Sequence, residues 1–129
     1  MIEARLATTL LEKKVVVDSM QGVGNINMFL IYGIWKDNIC VGGAGLSGIF
    51  NNEFSLGFNC KPSISLGKAL CFILSEILKV KPQIKSSINT SNLKSKKLAI
   101  QLGFKIVYRK DDIIFYELSN LSDKLKKRW

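Results

Sequence analysis

The hydrophobic period changes several times along the chain, and each change marks an element. Leu6, Leu10 and Leu11 fall on one helical stripe between Glu3 and Lys13, which predicts a short amphipathic helix. The glycines of QGVGNIN, residues 21–27, then predict a loop. From there branched and aromatic residues dominate Met28 to Trp35, Asn38 to Leu46 and Glu53 to Phe58, separated by Lys36-Asp37 and by Phe50-Asn51-Asn52. These runs predict an antiparallel three-strand meander. Gly42, Gly43 and Gly45 in the second run call for a bulge or a close approach of another backbone.

After Cys60-Lys61-Pro62-Ser63 the spacing turns helical. Leu66, Leu70, Ile73, Leu74 and Ile77 share one stripe, widened by Phe72 and Leu78. A face that broad belongs to a helix packed on a sheet. Gln83 to Asn89 predicts a strand. Asn92 to Leu102 predicts a second helix, stopped by Gly103. Phe104 to Arg109 and Ile113 to Leu118 predict two final strands, turned at Lys110-Asp111-Asp112. The expected order is α-β-β-β-α-β-α-β-β. Its natural packing is a mixed sheet covered by helices, an α/β (α+β) fold.

Composition narrows the chemistry. The 129 residues are 47% hydrophobic and 22% charged, which fits one globular domain over residues 1–129, with 119–129 as a basic tail. There is no histidine, so Ser-His-Asp and Cys-His catalysis and histidine-ligated zinc are excluded. Cys40, Cys60 and Cys71 lack metal-type spacing and read as reduced, buried thiols; no metal site is expected. The opening MIEARLATTLLEKK carries no secretory pattern, and Leu66 to Leu78 is too short for the ~20 residues of a membrane span. A cytoplasmic protein without a membrane partner is the expectation. The formal charge of +9 favours a polyanionic partner without choosing among nucleic acid, a phosphorylated cofactor and an acidic protein surface.

The segment SSINTSNLKSKKLAIQLGFKIVYRKDDIIFYEL resembles the C-terminal half of the GCN5-related N-acetyltransferase (GNAT) superfamily. Asn92, Ser95, Ala99, Gly103 and Phe104 fall without a gap on the pattern N-x-x-A-x-x-x-Y-x-x-x-G-F, Ala99 taking the place of the tyrosine. The resemblance covers the last third of the chain, and the meander and long helix extend it to about residue 27. It implies a mostly antiparallel GNAT-like sheet flanked by helices, and acetyl transfer from acetyl-CoA to an amine by direct attack on the thioester.

The resemblance also implies where acetyl-CoA binds. Its pyrophosphate would lie at the start of the long helix, where Ile64-Ser65-Leu66-Gly67-Lys68-Ala69 stands for Q/R-x-x-G-x-G/A. Gly67 and Ala69 fit, Ile64 replaces the Arg or Gln, Lys68 supplies charge, and Ser63 or Ser65 caps the helix. Phe58, Asn59 and Cys60 would line the acetyl end, and Asn92 and Ser95 complete the cofactor set. Glu53 and Cys60 are the candidate catalytic groups. The helix tyrosine that protonates the departing thiolate in many relatives is missing at Ala99, and Tyr108 and Tyr116 read as packing residues. The region before the meander is short, which resembles small GNAT-like proteins of tailed bacteriophages, some of them virion-associated; for such a protein the compartment is the host cytoplasm or the virion.

Three functions follow as alternatives. The first is an N-acetyltransferase with an unidentified amine acceptor. The second is an inactive GNAT-fold structural protein with an assembly partner, such as a phage particle component. The third is a nucleic-acid binder using Lys94, Lys96, Lys97, Lys105, Arg109 and Lys110, disfavoured because few aromatics interleave with that charge.

Overall fold

The computed structural model describes residues 2–20, 22–47, 53–61 and 63–119. The elements run β1 (Ile2–Leu6), α1 (Leu10–Ser19), β2 (Leu30–Lys36), β3 (Ile39–Leu46), β4 (Phe54–Phe58), α2 (Ile64–Val80), β5 (Ile84–Asn89), α3 (Leu93–Leu102), β6 (Lys105–Lys110) and β7 (Ile113–Leu118). The Phe50-Asn51-Asn52 turn and the tail from residue 120 onward lie outside the described residues.

The opening helix is a correction. Its first residues form β1, antiparallel to β2 with Ile2 opposite Lys36 and Leu6 opposite Tyr32. Ile2 and Ala4 alternate inward with exposed Glu3 and Arg5, a period of two that a leucine stripe conceals. The helix starts only at Leu10. Thr9 caps it by accepting from the Glu12 amide, and the Thr9 hydroxyl in turn donates to the Glu12 carboxylate. Leu10 and Leu11 are 66% and 73% exposed, so the buried face is not the leucine stripe but Val16 and Met20.

A row of glycines explains how α1 docks. Gly33 pairs with Gly43, and Gly43 with Gly57, one per strand. A Cβ at Gly33 or Gly43 would meet the Val16 methyls, and one at Gly57 would stand 2.2 Å from the Met20 carbonyl. The close approach expected from the glycines is therefore real. The bulge is real too: Ile34 pairs with Gly42 but Trp35 with Cys40, leaving Val41 as the extra residue. The β2–β3 turn uses Asp37 and Asn38, both left-handed at φ 51° and 69°, as a two-residue hairpin requires.

On the other face, α2 buries Leu70, Ile73, Leu74 and Ile77 against Tyr32, Ile34, Ala44 and Leu46. Each such side chain contributes roughly 1.5–3 kcal/mol on burial. The same core takes in Ala99 and Leu102 of α3, with Phe104, Ile114 and Tyr116. Asn92 caps α3 by accepting from the Ser95 amide, and Gly103 closes it at φ 105°. Both caps are as the sequence predicts.

The strands form two sheets, β1-β2-β3-β4 and β5-β7-β6. Among the described residues one parallel bridge, Glu53 to Lys85, joins them. The result is the expected mostly antiparallel sheet flanked by helices, divided between β4 and β5.

Candidate functional site

The division is the site. Beyond the Glu53–Lys85 bridge no described pairing joins β4 to β5, so the two parallel strands border a gap. Both strands lead at the same end into a helix, β4 into α2 and β5 into α3. Two helix N-termini therefore flank the open end, and the bridge closes the other.

Hydrogen bonding fixes which amides face the gap. Ser47 donates to the Glu53 carbonyl and Asn59 donates to the Val41 carbonyl at 2.7 Å. In an antiparallel ladder the bonded residues alternate, so Ser55 and Gly57 also turn toward β3. Leu56 and Phe58 then turn their amides to the β5 side. Of the residues expected to line the acetyl end, Phe58 turns its amide to the gap, whereas the Asn59 amide is taken by β3. Leu56 escaped the sequence reading, because only the ladder phase reveals it.

At the open end Ser63 caps α2, its hydroxyl accepting from the Leu66 amide at 3.1 Å. Helix geometry leaves the amides of Ser63, Ile64 and Ser65 without an intrahelical acceptor. Ser65 and Gly67 are half-buried, Lys68 is exposed, and Ala69 is buried toward the core. Ile64, in place of the Arg or Gln, is 61% exposed. Asn92 and Ser95 form the N-terminal turn of α3, where the Lys96 ammonium donates to the Thr90 carbonyl at 3.1 Å. Lys61, Lys68, Lys94 and Lys97 are exposed around these two starts.

The structure separates the two catalytic candidates. Cys60 lies between β4 and the α2 cap, half-buried. Burial raises its thiol pKa, with Lys36 opposing, which disfavours the nucleophilic thiolate. Glu53 lies at the bridged end, its carboxylate accepting from the Ser87 hydroxyl at 3.3 Å. Ala99 is buried in the core and brings no hydroxyl at that position of α3. Tyr116 is buried in the core, as expected of a packing residue, while Tyr108 is 53% exposed and stacked on Phe115. Among the described residues no group of His, Cys, Asp and Glu is arranged to hold a metal, and no helix is long and apolar enough to cross a membrane.

No protein-family model and no curated protein matches the sequence. Solved structures do match. The chain superimposes on the PaiA N-acetyltransferase of Thermoplasma acidophilum, solved with coenzyme A, at a TM-score of 0.69 and 14% identity, over 93% of this chain and 99% of that one. An N-acetyltransferase of Staphylococcus aureus Mu50 gives 0.66 and 15%, over 92% and 97%. The ribosomal-protein-S18-alanine N-acetyltransferase of Escherichia coli gives 0.64 and 14%, over 95% and 97%. With a divided sheet, a helix N-terminus at the open end of the division and neighbours of this kind, the chain has the fold of the GNAT N-acetyltransferases.

Proposed function

We propose that the protein is an acetyl-CoA-dependent N-acetyltransferase. The observation that carries this reading is the gap between β4 and β5, bridged at Glu53–Lys85 and open toward the starts of α2 and α3. The pyrophosphate lies against the Ser63, Ile64 and Ser65 amides, where the helix dipole favours an anion. Gly67 keeps that approach clear, and Lys61, Lys68, Lys94 and Lys97 add positive charge for the phosphates. The pantetheine arm follows β4 past Phe58 toward the bridge.

The chemistry then falls to the closed end. The Leu56 amide polarises the thioester carbonyl, so that negative charge developing on oxygen meets a fixed donor. The amine nitrogen attacks the carbonyl carbon, the C–S bond breaks, and the products are an amide and coenzyme A. Glu53 takes the proton the amine loses. With Ala99 in the tyrosine position, the departing thiolate takes its proton from solvent.

Gly67→Glu tests the cofactor site. It puts bulk and negative charge beside the pyrophosphate, so calorimetric titration should show saturable acetyl-CoA binding by the native protein and none by the variant, with circular dichroism unchanged. Equal binding by both moves the cofactor elsewhere. Absence of binding by the folded native protein at millimolar acetyl-CoA rejects the enzyme reading and leaves a scaffold with the same fold.

A further inference from the structure

The face of β5-β7-β6 turned away from α2 and α3 carries a slot that the cofactor does not use. It is a depression open to solvent, with room for about 230 Å³, and is lined by Glu53, Lys85, Ser87, Tyr108, Phe115 and Glu117, among others. Cross-strand register builds it. Ser87 lies opposite Phe115, and Phe115 opposite Tyr108, which makes one row of small residue, ring and ring. The two rings are stacked, 4.4 Å between centroids and 9° from parallel. Because they stand on adjacent strands, their shared normal runs across the sheet, and the free face of Phe115 looks toward β5. There the neighbour is only a serine. The space above Ser87 is thus walled by an aromatic face on one side and, on the other, by the Glu53 carboxylate, which accepts from the Ser87 hydroxyl.

The lining of the slot is acidic by one charge, with Lys105 standing beside Glu117 on the next strand, so that Glu117 is flanked by two lysines and Glu53 is the acid left to act on an occupant. On a chain of +9, its lining holds two carboxylates and one ammonium. Lys85 is flanked in the next row by Glu53 through the bridge and by Glu117 through the ladder, which offsets its charge. Glu117 also accepts from the Gln83 side chain at 3.0 Å. The Glu53 carboxylate is the acid turned to the slot floor. A carboxylate facing an aromatic ring across a space of this size suits an ammonium group on a compact apolar body: the acid attracts the charge, and the ring face attracts both charge and body.

We infer that this slot receives the acceptor, and that the acceptor is a primary alkyl- or arylalkyl-amine without phosphate or carboxylate. The assignment of the occupant as acceptor rests on the acetyltransferase reading, since the slot adjoins the closed end of the gap at Glu53. The shape and charge of the slot do not.

The test is nuclear magnetic resonance titration of the full chain with 2-phenylethylamine, followed at the Tyr108 and Phe115 ring signals. Neutral 2-phenylethanol and anionic 3-phenylpropanoate serve as controls. The amine should shift both rings saturably and bind at least tenfold tighter than either control. Glu53→Gln should weaken it about tenfold, and Phe115→Leu, which keeps bulk but removes the ring face, by several-fold. Equal binding of the anion, or no shift of either ring, overturns the inference. Acetyl-CoA titrated alone on the same sample separates the two claims: cofactor binding without amine binding rejects the slot, and amine binding without cofactor binding rejects the enzyme but keeps the slot.

Discussion

At the scale of single residues, environment separates the two candidates that the sequence offers. Cys60 and Glu53 are each the plausible reactive group of one end of β4. Half-burial raises the Cys60 thiol pKa, and Lys36 only partly offsets it. Because the neutral form is favoured, the thiolate fraction at pH 7.5 is small. Iodoacetamide should therefore modify Cys60 more slowly than it modifies N-acetylcysteine at that pH, by peptide mass spectrometry. The Cys60 rate should also keep rising with pH after the free thiol has levelled off. A faster rate than the free thiol at neutral pH would mark an activated cysteine and return it to the chemistry. Glu53, by contrast, stands at the bridge with a single hydroxyl partner, facing the aromatic slot. Its position, not its identity, recommends it. The replacement at Ala99 was visible in the sequence, and the structure adds that the residue is buried in the core.

At the scale of elements, caps and turns were legible and the first strand was not. Asn92 and Gly103 carry local signals, a side-chain acceptor and a residue able to enter the left-handed region, and both act as read. Strand β1 depends on a partner, β2, some 30 residues away, and five residues of alternation cannot outweigh a leucine stripe in a local reading. The glycine row is a similar case. Three glycines in β3 announce a close approach, but that Gly33, Gly43 and Gly57 line up beneath one helix is set by register. Gly57→Ala tests the row. Its methyl would lie 2.2 Å from the Met20 carbonyl, a backbone atom that rotamer changes cannot move. The cost expected of overpacking is about 1–3 kcal/mol, read as a lower thermal midpoint by circular dichroism. An unchanged midpoint would mean that α1 shifts freely on the sheet.

At the scale of the whole molecule, charge is distributed with a purpose that its sum hides. The +9 total includes Lys61, Lys68, Lys94 and Lys97 around the starts of α2 and α3, whereas the charged groups lining the slot across the sheet are two carboxylates against one ammonium. Exposed lysines act through solvent, so their attraction for the cofactor phosphates is screened: the screening length falls from ~10 Å at 0.1 M salt to ~3 Å at 1 M. Acetyl-CoA affinity should fall several-fold over that range in calorimetry, and dephospho-CoA, with fewer charges, should show a shallower slope. An affinity independent of salt would assign binding to the backbone amides alone. What the residues determine by themselves is periodic or local: the long amphipathic α2, the meander, the caps of α3, the absence of histidine and the net charge. Those properties depend on neighbours within a few positions. What the tertiary structure decides is relational: the pairing of β1, the phase that aims the Leu56 amide at the gap, and the row that places Ser87 beside Phe115 and Glu53. Each requires strands distant in sequence to meet in one register, and a shift of one residue would turn those groups to the opposite face.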